Sequence, residues 1–289
     1  MSIGEDTLVT GVAADEGGTA VALARRSGRI LTFDLLHNRR LSTFDSPYQF
    51  VGGGVVLPTS EICVAGGSQR GVRAYCATTG QELWRRSDLE SIFLRSARGK
   101  LWISDRSQTH YEVDIQTGRT LDSLADLSEF YPSQVSWAEL VVLIADRKKY
   151  LVRGLYSYRI DPCSYGILDV SFSPTLVFLS EAGGPLRALD LSFGVEVGRY
   201  TSPAGWHVLW LHYQPEPEVV YAVDFNYNNN RKVLLRLSTD LSQRVKVCEL
   251  DQEAVTLAFA PKARKLITSV GSVFDLDSGS LLYELPIRD

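Results

Sequence analysis

Apolar and polar positions alternate with period two in short runs along this chain, the pattern of half-buried β-strands. The clearest instance is Tyr111–Leu121, Y-E-V-D-I-Q-T-G-R-T-L, in which a strand ends at Asp114, a tight turn closes on Thr117-Gly118 and a second strand leaves with Leu121. Gly118 supplies the positive backbone angle that such a hairpin needs. Asp114 and Thr117 can bond backbone amides inside the turn.

The hairpin recurs. Aligned on Asp114, the same slot holds Asp34, Cys76, Asp114, Asp161, Asp190, Leu237 and Asp275, and four residues later stand Asn38, Gly80, Gly118, Tyr165, Gly194, Leu241 and Gly279. The anchors lie 42, 38, 47, 29, 47 and 38 residues apart. A period near 40, with four short strands per unit, is the signature of a β-propeller blade. The predicted fold is all-β: a seven-bladed β-propeller of four-stranded antiparallel blades in a single domain, 1–289, with blades at about 5–47, 48–89, 90–128, 129–166, 167–203, 204–252 and 253–289. The 29-residue spacing leaves too little room for both an outer strand of the fourth blade and a normal inner strand of the fifth, so one of them should be short or absent. The first strand reads as innermost and the last as outermost in its own blade, which predicts no strand exchange. Closure then rests on side-chain packing between blades one and seven, and the ring should be weaker at that seam.

The stretches F-D-L-D-S-G-S-L-L (Phe274–Leu282), V-D-I-Q-T-G-R-T-L (Val113–Leu121), V-S-F-S-P (Val170–Pro174) and L-A-F-A-P (Leu257–Pro261) resemble the repeats of WD-repeat and quinoprotein-like β-propellers. The resemblance covers nearly the whole chain. It lies at the level of the fold, because the Trp-Asp and Gly-His dipeptides of WD repeats are missing.

Composition changes this picture little. The chain has 45% hydrophobic and 22% charged residues, an ordinary globular balance. No apolar run is long enough for a transmembrane helix, and the polar, acidic start M-S-I-G-E-D-T lacks the features of a signal peptide. The four cysteines, Cys63, Cys76, Cys163 and Cys248, form no C-x-x-C pair and read as free thiols in a reducing cytoplasm, although Cys63 and Cys76 sit on neighbouring strands and could approach. The ratio of 23 Arg to 7 Lys suggests a GC-rich bacterial genome.

No catalytic or metal motif is present, and no cofactor is expected. His207 and His212 lie in one strand at an odd separation, so they should face opposite sides and could share a metal only across a bulge. Gly52-Gly53-Gly54 is followed by no helix and reads as a bulge or close packing rather than a phosphate cradle. Asp275 and Asp277 read as turn residues, and Asn226, Asn228, Asn229 and Asn230 as a solvated loop.

Charge is the one feature above this background. Loops joining second to third strands hold Arg25, Arg26, Arg29, Arg70, Arg73, Arg106, Arg147, Lys148, Lys149, Arg153, Arg187, Arg231 and Lys232 against Asp105, Asp146 and Glu181, a net of +10. Loops joining third to fourth strands, with Asp34, Glu82, Asp114, Asp161, Asp190, Glu196, Asp240, Asp275 and Asp277 against Arg39, Arg40, Arg119 and Arg244, come to −5. A protein of net charge −4 and pI near 5.7 would then have one basic face. The reading that follows is a non-catalytic, monomeric, cytoplasmic scaffold, inhibitor or assembly module that binds another protein's acidic surface. Its binding residues would be Arg25, Arg26, Arg70, Arg147, Lys148, Lys149 and Arg231, with Tyr48, Tyr131 and Trp206 as aromatic anchors. Nucleic acid and membrane are not the expected partners. The alternative is a small-molecule binder or lactonase-like hydrolase using the central channel, whose mouth Tyr48, Phe50, Ser133, Trp206 and Glu253 would feed.

Overall fold

The structure, a computed structural model, describes residues 8–15, 17–48, 54–67, 71–89, 91–97, 100–105, 109–124, 167–181, 183–190, 195–260 and 262–287. Among them are 24 strands in six four-stranded antiparallel sheets. Each sheet is a meander of strands consecutive in sequence, so none borrows a strand from a distant stretch. The first holds β1 (Val9–Ala14), β2 (Ala20–Arg25), β3 (Arg29–Asp34) and β4 (Arg39–Asp45). The second holds β5 (Val55–Thr59), β6 (Ile62–Gly67), β7 (Gly71–Cys76) and β8 (Glu82–Arg86). The third holds β9 (Ser91–Ala97), β10 (Lys100–Asp105), β11 (His110–Val113) and β12 (Thr120–Leu124). After it come β13 (Ile167–Phe172), β14 (Leu176–Glu181), β15 (Leu186–Asp190) and β16 (Glu196–Tyr200), then β17 (Trp206–Gln214), β18 (Val219–Asn226), β19 (Arg231–Ser238) and β20 (Arg244–Leu250). The last sheet is β21 (Leu257–Ala260), β22 (Lys265–Thr268), β23 (Ser272–Asp275) and β24 (Leu281–Glu284). β13 is a six-residue inner strand of its sheet. The strands expected at 135–160 lie outside the described residues.

The chain divides into two compact units. The first comprises Met1–Phe130, Glu253–Asp275 and Ser280–Asp289; the second comprises Tyr131–Gln252 and Leu276–Gly279. In the first unit, apolar clusters fill the spaces between successive sheets: Ala22, Ile30, Leu57 and Tyr75 between the first two, and Val64, Trp84, Leu101 and Ile103 between the second and third. In the second unit Phe178, Leu186, Val208, Leu211, Ala222 and Leu235 join its two described sheets. The middle strands are buried on both faces, which is why β2 reads as the unbroken run A-V-A-L-A-R. The outermost strands are partly or fully exposed, as in β4 and most of β20.

The opening hairpin forms as expected. Asp114 Oδ1 accepts from the amides of Gln116 and Thr117 and from the Thr117 hydroxyl, and Gly118 has φ 71°. These bonds hold the Asp114 carboxyl below its ordinary value, the Thr117 hydroxyl contributing most. Asn38, Gly80 and Gly279 take positive φ at the equivalent place. One anchor needs correction. In the fifth described sheet the slot belongs to Ser238, whose amide donates to Gln243 O as that of Asp114 donates to Arg119 O, and not to Leu237. The turn there is tighter, with Leu241 N donating to Ser238 O, so the positive φ of 60° falls on Leu241. A leucine tolerates it because its side chain is buried in the unit's apolar cluster.

Both edges of the sheets carry bulges. Every pairing of third with fourth strand skips one residue, and the skipped residues are Leu41, Leu83, Leu121, Val197, Val247 and Leu282. The inner strands β1, β9, β13 and β17 also skip one residue each. A bulge twists an edge away from the flat geometry that would pair with another chain.

Within the first unit, the first and last sheets meet through Val21, Leu23, Leu31, Ile267 and Val273. Side chains stitch the same junction to the backbone. Arg25 Nη2 donates to Ile287 O at 2.5 Å, Arg40 donates to Pro286 O, and Lys265 Nζ and Tyr283 Oη both donate to Leu35 O, at 2.6 and 2.7 Å.

Candidate functional site

The structure redistributes the charge expected on one face. Arg25 is buried at the first-to-last-sheet junction, its guanidinium turned to the Ile287 carbonyl, so it offers nothing to a partner. Arg29 pairs with Asp45, Arg73 with Glu82 at 2.6 Å, Arg187 with Glu196 at 3.0 Å and Arg231 with Glu249 at 2.5 Å. In each pair the base is on a third strand and the acid on the fourth strand beside it. Loop-by-loop summation put Glu82 and Glu196 on the opposite face from the arginines they neutralise. Lys232 is buried, and its Nζ donates to Asn230 Oδ1 and Gln252 O. Burial lowers its pKa. Arg26 is exposed at the β2–β3 turn. Arg70, Arg147, Lys148, Lys149 and Tyr131, like Arg106, Arg153, Phe50 and Ser133, lie outside the described residues. Tyr48 is not a surface anchor: its ring fills the core between the first two sheets beside Ala24, Ile30 and Tyr75, and its hydroxyl is hydrogen-bonded to Arg73. An aromatic ring between two sheets gains more from burial than a loop position returns to it.

Residues of the expected site come together at one end of the β17–β20 sheet. Register aligns Trp206, Asn226 and Arg231 across three strands, and His207, Phe225 and Lys232 in the next row. Trp206 is half-buried and packs on the unit's apolar cluster. Tyr227, in the β18–β19 turn, is 60% exposed. Its ring stands edge-on to Phe225, centroids 4.6 Å apart, and to His207 at 5.2 Å. Lys232 Nζ lies 5.1 Å from the Phe225 centroid and backs this cluster from inside. His207 Nδ1 accepts from the Gly183 amide at 3.2 Å, which fixes the β14–β15 turn against β17. The asparagines do more than solvate the turn: Asn226 Oδ1 accepts from Asn228 N, and Asn230, with φ 56°, donates to Gln252 O. Sequence reasoning passed over Tyr227 because it sits among those asparagines. The available signal was an aromatic in a turn immediately before Arg231.

β17 carries a bulge at Leu209, which corrects the reading of its histidines. His207 pairs with Phe225 and His212 with Tyr221, four positions apart on β18, so both histidines face the same side. They stand about 13 Å apart along the strand at the usual rise, too far to share a metal. Desolvation of the half-buried His212 pushes its pKa down to about 4, opposed by a hydrogen bond that its ring shares with Gln214. Among the described residues no three His, Cys, Asp or Glu side chains gather as metal ligands.

Beneath the same end lies a buried carboxylate. Asp224 accepts from Tyr200 Oη at 2.9 Å and from Ser202 Oγ at 2.8 Å. Desolvation raises its pKa above the ordinary 3.8, partly opposed by the two hydroxyls, and burial pushes Tyr200 up to about 12. The fold therefore favours protonated Asp224. The stability it contributes is complete below pH 3.8 and is lost as pH rises through the folded value. Asp224→Asn should destabilise the protein more at pH 4 than at pH 7, read as the gap in denaturant midpoint from wild type. A gap that widens toward pH 7 would contradict this assignment.

Cys63 and Cys76 are free thiols on paired strands. Cys76 pairs with Ile62 and Cys63 with Tyr75, so the two sulfurs face opposite sides of the sheet. Asp277 is more than a turn residue: its Oδ1 accepts from the buried Tyr221 hydroxyl at 2.9 Å.

The succession of four-stranded antiparallel meanders agrees with the fold-level resemblance to β-propellers. No family model matches the chain, and no curated protein matches it. Among solved structures it is similar to the crystal structure of BamB from Moraxella catarrhalis, at 10% identity over 95% of this chain and 76% of that one, with a TM-score of 0.37. A likeness at that level bears on neither partner nor activity.

Proposed function

We propose that this chain is a seven-bladed β-propeller and a non-catalytic, cytoplasmic scaffold that binds another protein. The observation that carries the binding reading is Tyr227, a large ring left 60% exposed yet held in place by Phe225 and His207 in the turn that leads into Arg231. Preorganised aromatics next to an arginine are the usual energetic centres of protein interfaces, because ordering them on binding costs little. Free thiols at Cys63, Cys76 and Cys248 support a reducing compartment.

The test is capture from a lysate of the parent cell on immobilised protein, read by mass spectrometry. Wild type and Tyr227→Ala are compared after equal melting curves show both to be folded. A protein retained by wild type and reduced at least tenfold by Tyr227→Ala is the expected result. Retention equal on both would remove the Tyr227 cluster from the interface. Capture of nothing by either would move the search to small molecules in the channel.

A further inference from the structure

The outer hairpins of the six described sheets share one architecture but not one charge. Over third and fourth strands together, β19–β20 carries a formal net of +4, while β11–β12 and β23–β24 each carry −2. Guarding an exposed edge does not require the positive sign, since two of the six edges are held by net acidic strands.

On β20 the basic groups form a row. Arg244, Lys246 and Glu249 pair with Leu237, Leu235 and Val233, alternate positions of β19, so all three project from one face. The bulge at Val247 produces this alignment: without the skipped residue, Lys246 and Glu249 would face opposite sides. Arg231, two positions before Val233, continues the row on the same face. Glu249 Oε1 receives both Lys246 Nζ at 2.6 Å and Arg231 Nη2 at 2.5 Å, so one carboxylate serves two exposed cations. Arg244 at the far end has its guanidinium 5.8 Å from the Tyr200 centroid. Asp240, in the β19–β20 turn, keeps its charge but is held within that turn by the Ser238 and Ser242 hydroxyls. The row spans about 20 Å at the usual strand rise; Phe225 and His207, which hold Tyr227, are in register with Lys232 and so belong to the other face of the sheet at its Arg231 end.

We propose that this row binds an extended acidic segment of the partner protein. The proposal rests on the protein-binding reading above. Three cations against one anion leave unbalanced positive charge on a strip as long as about six extended residues, and charge complementarity selects an acidic occupant. The Val247 bulge interrupts the edge's run of backbone groups, so side chains hold the segment rather than an added strand.

The probe is a fluorescein-labelled decapeptide of alternating glutamate and valine, with its lysine–valine counterpart as control, followed by anisotropy at low and high salt. The acidic peptide should bind wild type, lose affinity on raising salt, and bind Arg244→Glu/Lys246→Glu at least tenfold more weakly. The milder Arg244→Gln/Lys246→Gln should fall between, and Lys262→Glu should match wild type. Equal binding of both peptides, or equal binding to wild type and the double variant, would overturn the proposal. So would tighter binding of a poly-uridine RNA through the same residues, which would make the row a nucleic-acid contact. The lysate capture separates the two claims: a protein lost by Tyr227→Ala but kept by Arg244→Glu/Lys246→Glu leaves the scaffold standing and removes the acidic segment.

Discussion

Replacing Gly198 with alanine should destabilise the second unit by about 3 kcal/mol, near the upper end of what overpacking costs. Gly198 lies on β16, and a Cβ there would stand 2.1 Å from the Asp240 carbonyl oxygen of the β19–β20 turn. The obstacle is backbone, not the flexible end of a side chain. Relief would require moving that turn, and with it Ser238 and Ser242, which bond to the Asp240 carboxylate, or separating sheets joined by Phe178, Leu186 and Leu235. Gly198 does not take a positive φ, so the cost comes from proximity and not from strain in the residue itself. Val197→Ala is the control: the neighbouring side chain is 46% exposed and its truncation should fall within about 0.5 kcal/mol of wild type. Denaturant midpoints of the two variants, followed through tryptophan fluorescence, decide the matter. A Gly198→Ala protein as stable as wild type would mean that the two sheets stand further apart than described.

The hairpins were legible in the sequence because their chemistry is local. An Asp or Cys followed four residues later by Gly or Asn forms its turn from atoms within six residues, as Asp114 and Gly118 show. The misplaced anchor at Leu237 marks where that fails: the chain closes a different turn, and Leu241 takes the positive φ at the expense of its own preference. Bulges were not legible at all. The residues skipped between third and fourth strands are all Leu or Val, types that fill the regular strands as well and so do not mark a bulge, yet the bulge at Leu209 puts His207 and His212 on one face, and the one at Val247 brings Lys246 to Glu249. The basic face was half legible. Arg231 and Trp206 do meet at one end of a sheet. Arg73 and Arg187, however, lie in strands whose neighbours supply Glu82 and Glu196, and a sum taken loop by loop cannot see a partner across the ladder. Arg25 and Tyr48 were misjudged for a related reason: each ends or follows a strand, but a second sheet covers it.

Arg25→Glu should cost the first unit more than Arg25→Met, by about 3 kcal/mol if the carboxylate stays buried and unpaired. Arg25 is 4% exposed and reaches from β2 to the carbonyl of Ile287, 262 positions away. Methionine keeps the aliphatic volume and gives up the hydrogen bond to that carbonyl, a loss of about 1–3 kcal/mol. Glutamate puts an acceptor against an acceptor and a negative charge in the place that holds a guanidinium. The expectation that the junction of the first and last sheets is a weak point rested on apolar packing alone. Arg25, Arg40, Lys265 and Tyr283 add four side-chain bonds to backbone carbonyls, so the junction should hold better than packing predicts. Hydrogen exchange gives the local readout. The amides of Leu285 and Ile287, which donate to Gly271 O and Leu285 O, should exchange faster in Arg25→Met and faster still in Arg25→Glu, while those of β17–β20 keep wild-type protection. Acceleration spread evenly over the chain would show that Arg25 supports global stability without a special hold on the last segment. Unchanged exchange at Leu285 and Ile287 in both variants would show that packing of Val21, Leu31 and Val273 closes the junction without the arginine.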